Sequence, residues 1–72
     1  MEQDNSDGSI RANISIGSEV EVVQKHHQRT GELTEGIVKG ILTKAPKHTH
    51  GIKVILQTNQ VGRVKRVLGN ED

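Results

Sequence analysis

The residues with the most chemical potential are four histidines in two pairs, His26-His27 and His48-Thr49-His50. Imidazole ligates zinc, and two histidines one residue apart on an extended strand point to the same side. Those two rings alone leave a zinc site short, because a catalytic centre normally takes three converging protein ligands and a structural centre usually includes thiolates. The chain has no cysteine and no helical His-x3-His spacing, and a third ligand from His26 or His27 would require two separate loops to meet. No metal and no cofactor are therefore expected. Nucleophilic catalysis fares no better. Thr49 lies between the two histidines, but adjacent residues of an extended chain point apart. No serine occupies a Gly-x-Ser-x-Gly turn, and Glu32 and Glu35 are the only carboxylates in the central segment. A single small domain also offers little volume for a substrate cleft, so an enzyme is not expected.

Anion binding is the chemistry that the pattern favours. Between Lys25 and Arg66, nine lysines and arginines face two glutamates, a net +7, while the remaining acids lie toward the two ends. Such an imbalance suits a polyanion, although the same lysines also serve as ordinary solvated strand and loop residues. The candidate nucleic-acid contacts are Arg29, Lys44, Lys47, His48, His50, Arg63 and Arg66. Lys53 reads instead as an ordinary outward strand residue. Gly51 would let backbone approach a ligand closely. No Gly-Lys-[Ser/Thr] phosphate loop is present. The complete lack of Phe, Tyr and Trp excludes base-stacking platforms, aromatic methyl-lysine cages and grooves for proline-rich peptides. Phosphate contacts need only charge and reach, so structured RNA or duplex read by shape is the expected partner. The alternative is a protein–protein adaptor that uses Ile37, Ile55 and an exposed strand edge, including one that pairs with a second copy.

The elements that must position these residues are strands. "SEVEVV" alternates, with Val20 and Val22 on one face and Glu19 and Glu21 on the other. "LTEGIVKGILT" is a second strand in which simple alternation cannot bury both Val38 and Ile41, so a bulge near Gly40 is expected. Pro46 makes "KAPKHTHG" a loop. "GIKVILQ" follows with Ile52, Val54 and Leu56 inward, "TNQ" is a tight turn, and "VGRVKRVL" is the last strand, ending in a helical turn that packs Val67 and Leu68. Gly36-Ile-Val-Lys-Gly-Ile-Leu42 and Gly62-Arg-Val-Lys-Arg-Val-Leu68 share the pattern G-x-V-K-x-[I/V]-L, two strands solving the same packing problem.

These elements predict an all-β fold, a small SH3-like β-barrel of four to five short antiparallel strands over residues 13–69. A disordered polar tail is expected over 1–12 and a frayed acidic end over 70–72. Closure would protect strand edges. The core must be aliphatic. The chain carries no secretory signal pattern and no run of the roughly 20 apolar residues that spans a bilayer, so a soluble cytoplasmic monomer is expected, with no membrane partner.

The sequence resembles the YwbE family of small uncharacterised prokaryotic proteins. The elements that carry the likeness are Gln28-Arg29-Thr30-Gly31, Gly36-x-Val38-Lys39-x-Ile41-Leu42-Thr43, His48 and His50 before Gly51-Ile52-Lys53-Val54, and Val61-Gly62-Arg63-Val64. The resemblance covers about Ile14 to Leu68, and the family implies no activity. A weaker likeness, Ile14 to Val22 with Gly36 to Val38, is to KOW-type small barrels, which often bind RNA or proteins.

Overall fold

The computed structural model describes residues 7–69. Four strands, β1 (Glu19–Gln24), β2 (Thr34–Ile41), β3 (Lys53–Leu56) and β4 (Val61–Gly69), form a closed antiparallel barrel in the order β1-β2-β3-β4. Short 3-10 turns cover Arg11–Asn13 and Lys25–His27. The fold is the expected small all-β barrel, with four strands.

Alternation dictates the interior. Val20 and Val22 of β1, Val38 of β2, Val54 and Leu56 of β3, and Val64 of β4 are fully buried, joined by Ile52, Ile14 and Val67. Each buried branched side chain contributes about 1.5–3 kcal/mol relative to exposure. That range makes this aliphatic cluster the main source of stability in a chain without disulfides.

The two G-x-V-K segments carry the same device. In the β2–β3 ladder, Val38 pairs with Leu56 and Gly40 with Ile55, so Lys39 is the extra residue of a bulge. In the β4–β1 ladder, Val64 pairs with Val22 and Arg66 with Glu21, so Lys65 is the extra residue. A bulge resets the two-residue period. Val38 and Ile41 therefore both face inward, as do Val64 and Val67. The leading glycine of each segment lies beneath a core side chain. A Cβ on Gly36 would stand 2.7 Å from Leu56 Cδ1, and one on Gly62 would stand 2.8 Å from Val22 Cγ2.

Two expectations are corrected. No helical turn ends the last strand. β4 stays extended through Gly69, where it pairs with Glu19, and Leu68 is exposed while Val67 is buried. The bulge at Lys65 places Val67 inward without leaving the sheet, and a second register shift, between Glu19 and Val20, leaves Leu68 as the extra residue beyond it.

Residues 7–12 are also no loose tail, and residues 1–6 and 70–72 lie outside the described residues. Gly8 is buried and accepts a hydrogen bond from Ile52 N–H at 2.8 Å. Ser9 O accepts from His48 N–H at 2.9 Å, and Arg11 N–H donates to Pro46 O at 2.8 Å. Isolated bridges join Asp7 to Arg66 and Ile10 to Lys47. Backbone pairing with a neighbouring loop, rather than apolar burial, holds this segment, and composition does not reveal it.

Closure changes the edge question as well. Every described strand has a strand partner on both sides, so self-association by strand addition has no edge strand to use among the described residues.

Candidate nucleic-acid interface

Parity places Lys53 of β3 and Arg63 of β4 on the outer wall, paired Cα to Cα. On the other side, Arg63 pairs with Val23 of β1. Val23 has outward parity, yet it is only 6% exposed. The segment after β1 explains this, because Lys25 and Gln28 line a groove with Val23, and so does Gly31. Gly31, at φ 75°, closes that turn by donating its N–H to His27 O at 2.8 Å. Within the same turn His27 Nε2 lies 3.2 Å from Glu32 Oε2.

Two grooves result, and they share Val23, Gln28 and Arg63. The first, a cavity of about 530 Å³, is completed by Gly31, His50 and Lys65. The second, about 420 Å³, is completed by Lys25, Lys53, Val61 and Gly62. No aspartate or glutamate is among the described residues that line either one. Arg63 Nη1 donates to Gly51 O at 3.1 Å, which anchors one end of a guanidinium that carries five N–H donors and lines both grooves. Lys65 Nζ donates to His50 O at 3.3 Å from an exposed position.

Of the seven residues singled out in the sequence, the structure brings His50 and Arg63 into these grooves. Arg29 is exposed in the turn between Gln28 and Gly31, beside them in the chain. His48 is half-buried, and its Nδ1 accepts the His50 N–H at 3.1 Å, so it orients the loop. Its ring lies 5.8 Å from that of His50, centroid to centroid. Among the described residues no group of three histidines, aspartates or glutamates is placed to hold a metal ion.

Lys44 and Lys47 are exposed but line neither groove, and Lys47 faces Ile10 through its bridge. Arg66 is paired with Glu21 and bridged to Asp7, two acidic neighbours. Gly51 does allow a close backbone approach, but to β4 rather than to a ligand. Its φ is 101°, and a Cβ there would fall 2.3 Å from Val64 O.

Lys25, Lys53 and Lys65, which are not among the seven candidates, also line the grooves. Lys53 sits two residues N-terminal to Ile55 and directly opposite Arg63, a relationship that the β3–β4 register alone reveals. The wall opposite has the other sign. Glu21 of β1 pairs with Glu35 of β2, and Glu19 leads the same strand.

No helix among the described residues is long and apolar enough to cross a membrane. No solved structure matches this chain. A family model described as "Uncharacterized conserved protein (DUF2196)" matches residues 7–67. The chain is also 48% identical over 61 residues to "Uncharacterized protein YwbE" of Bacillus subtilis (strain 168), covering 85% of this chain and 94% of that relative. The match includes the hydrogen-bonded segment from Asp7 and both bulges. On these two likenesses, the chain belongs to the uncharacterised YwbE family.

Proposed function

We propose that this protein is a non-enzymatic module that binds nucleic acid, structured RNA first, through the phosphate backbone. The observation that carries the reading is the pair of grooves around Arg63. Lys25, Lys53, Lys65 and His50 line them, and no carboxylate is among their described lining residues. Phosphate oxygens are bound by charge and by N–H donors, and a guanidinium already held in one plane loses less freedom when it binds. The absence of aromatic side chains disfavours splayed single-stranded bases and favours a partner read by its backbone and shape. The glutamates on the β1–β2 wall orient such a partner toward β3 and β4.

The test is titration of a labelled RNA hairpin at several salt concentrations. Binding that falls steeply between roughly 50 and 200 mM salt is expected. Binding no tighter than that of an unrelated small domain of equal net charge would remove the reading.

A further inference from the structure

We infer that the two grooves are separate subsites for two consecutive phosphates of one polynucleotide strand, and that Arg63 is shared between them. This rests on the nucleic-acid reading and narrows it from a broad basic face to a short track across β4. One subsite is formed by His50, Lys65 and Arg63, and the other by Lys25, Lys53 and Arg63.

Three observations support the division. First, the grooves are distinct, and among their lining residues only Val23, Gln28 and Arg63 are common to both. Arg63 is the only cation of the three, so it is the one charge that can serve both. Second, the Arg63 Nη1 bond to Gly51 O holds the guanidinium in place. A planar fork offers donors along more than one edge, so one guanidinium can face anions on two sides, as a lysine ammonium at the end of a flexible stem cannot.

Third, the spacing suits a single strand. Arg63 and Lys65 are two residues apart on β4, at most roughly 6.8 Å at about 3.4 Å per residue, because Lys65 is the extra residue of the bulge. Lys53 stands beside Arg63 on β3, one ladder spacing away at roughly 4.8 Å and across the strand direction. Steps of this size are comparable to the separation of neighbouring phosphates along one backbone. Val23, only 6% exposed, lies at the base of both grooves.

The remaining basic residues fall outside the track. Lys44 and Lys47 line neither groove, and Arg66 faces Glu21 and Asp7. The number of phosphates neutralised is therefore small, two or three rather than the seven that the net charge of the segment would suggest.

The test combines salt dependence with double-mutant cycles, using the full chain and an RNA hairpin. Amide spectra are recorded on every variant, so that loss of fold is seen directly. In the slope of log affinity against log salt, Lys53→Gln and Lys65→Gln are each expected to remove about one unit. Lys44→Gln, Lys47→Gln and Arg66→Gln are expected to leave the slope unchanged. Lys53→Gln and Lys65→Gln are expected to combine multiplicatively, because they serve different subsites. Arg63→Gln is expected to be non-additive with each of them, because it serves both.

RNA binding whose slope falls as much on substitution of Lys44, Lys47 or Arg66 as on substitution of Lys53 or Lys65 would overturn the track while leaving the nucleic-acid function standing. Strong coupling between Lys53 and Lys65, with none to Arg63, would overturn the shared-arginine geometry. No RNA binding by the unaltered chain would overturn both.

Discussion

Lys53 and Arg63 stand directly opposite each other across the β3–β4 ladder, two cations at neighbouring positions on the outer wall. Like charges in such cross-strand pairs are destabilising, by roughly 0.2–1 kcal/mol. The barrel therefore carries a small electrostatic strain at the place where the two grooves meet. Lys53→Glu would convert the repulsion to attraction. It is expected to raise stability by up to about 1 kcal/mol, seen as a higher midpoint in urea. The same substitution is expected to weaken RNA binding. A variant that lost both stability and binding would show that Lys53 is held by packing instead.

The bulges make a different prediction, because they concern the length of the strand rather than its chemistry. Lys65→Ala keeps the extra residue, so the barrel is expected to tolerate it within about 0.5 kcal/mol. Deleting Lys65 removes the bulge and leaves Val64, Arg66 and Val67 as consecutive partners of Val22, Glu21 and Val20, so all three keep their faces and only the local bend is lost. Inserting an alanine after Arg66 would instead turn Val67 out of the core, at a cost of at least about 1.5–3 kcal/mol for its burial alone. Chemical denaturation of the deletion and the insertion side by side checks this, and equal stability would contradict the role assigned to the bulge.

Much of this architecture was legible in the residues. The alternation of Ile52, Val54 and Leu56 marks β3, and the conflict between Val38 and Ile41 announces the bulge beside Gly40. The second bulge was not recognised, although the same pattern is present. Arg66 stands where the first segment has Gly40, and with no glycine to mark a bulge, a helical turn was the natural way to bury Val67. Residues 7–12 were hidden for another reason. Their order comes from backbone hydrogen bonds to Ile52, His48 and Pro46, which leave no trace in composition. The candidate site was half legible. Net charge pointed to the basic segment, but which cations share a groove depends on strand register and on the turn folded over Val23.

Glycines with different surroundings should respond differently to the same methyl group. At Gly62 a Cβ meets Val22 Cγ2 at 2.8 Å and Val23 O at 2.9 Å, so Gly62→Ala is expected to cost about 1–3 kcal/mol as overpacking. At Gly69 nothing lies within 4 Å, and Gly69→Ala is expected to fall within about 0.5 kcal/mol of the parent. Thermal or urea midpoints separate the two cases. A tolerated Gly62→Ala would mean that β1 and β4 can move apart at this pair.

The segment that packs on β4 offers a local test. A Cβ on Gly8 would lie 2.3 Å from Val64 O, a backbone atom that cannot swing aside. Gly8→Ala is therefore expected to lift this segment away from β4. The amides of Ile52 and His48, which donate to Gly8 O and Ser9 O, should then exchange with solvent faster than in the parent. Exchange unchanged at both amides would show that the segment accommodates the methyl group without moving.

The β1–β4 seam joins residues some forty positions apart in the chain. A ladder of that separation forms late, because the loop it closes must be ordered before the contacts reward it. Both grooves straddle this seam, since Val23 comes from β1 and Arg63 from β4. An opened barrel therefore holds neither groove, whatever local hairpins it retains. A ligand seated over Val23 engages only the finished ring and draws the folding equilibrium toward it by mass action. For a domain of this size, occupancy and integrity become one equilibrium, in which the partner helps keep shut the surface it rests on.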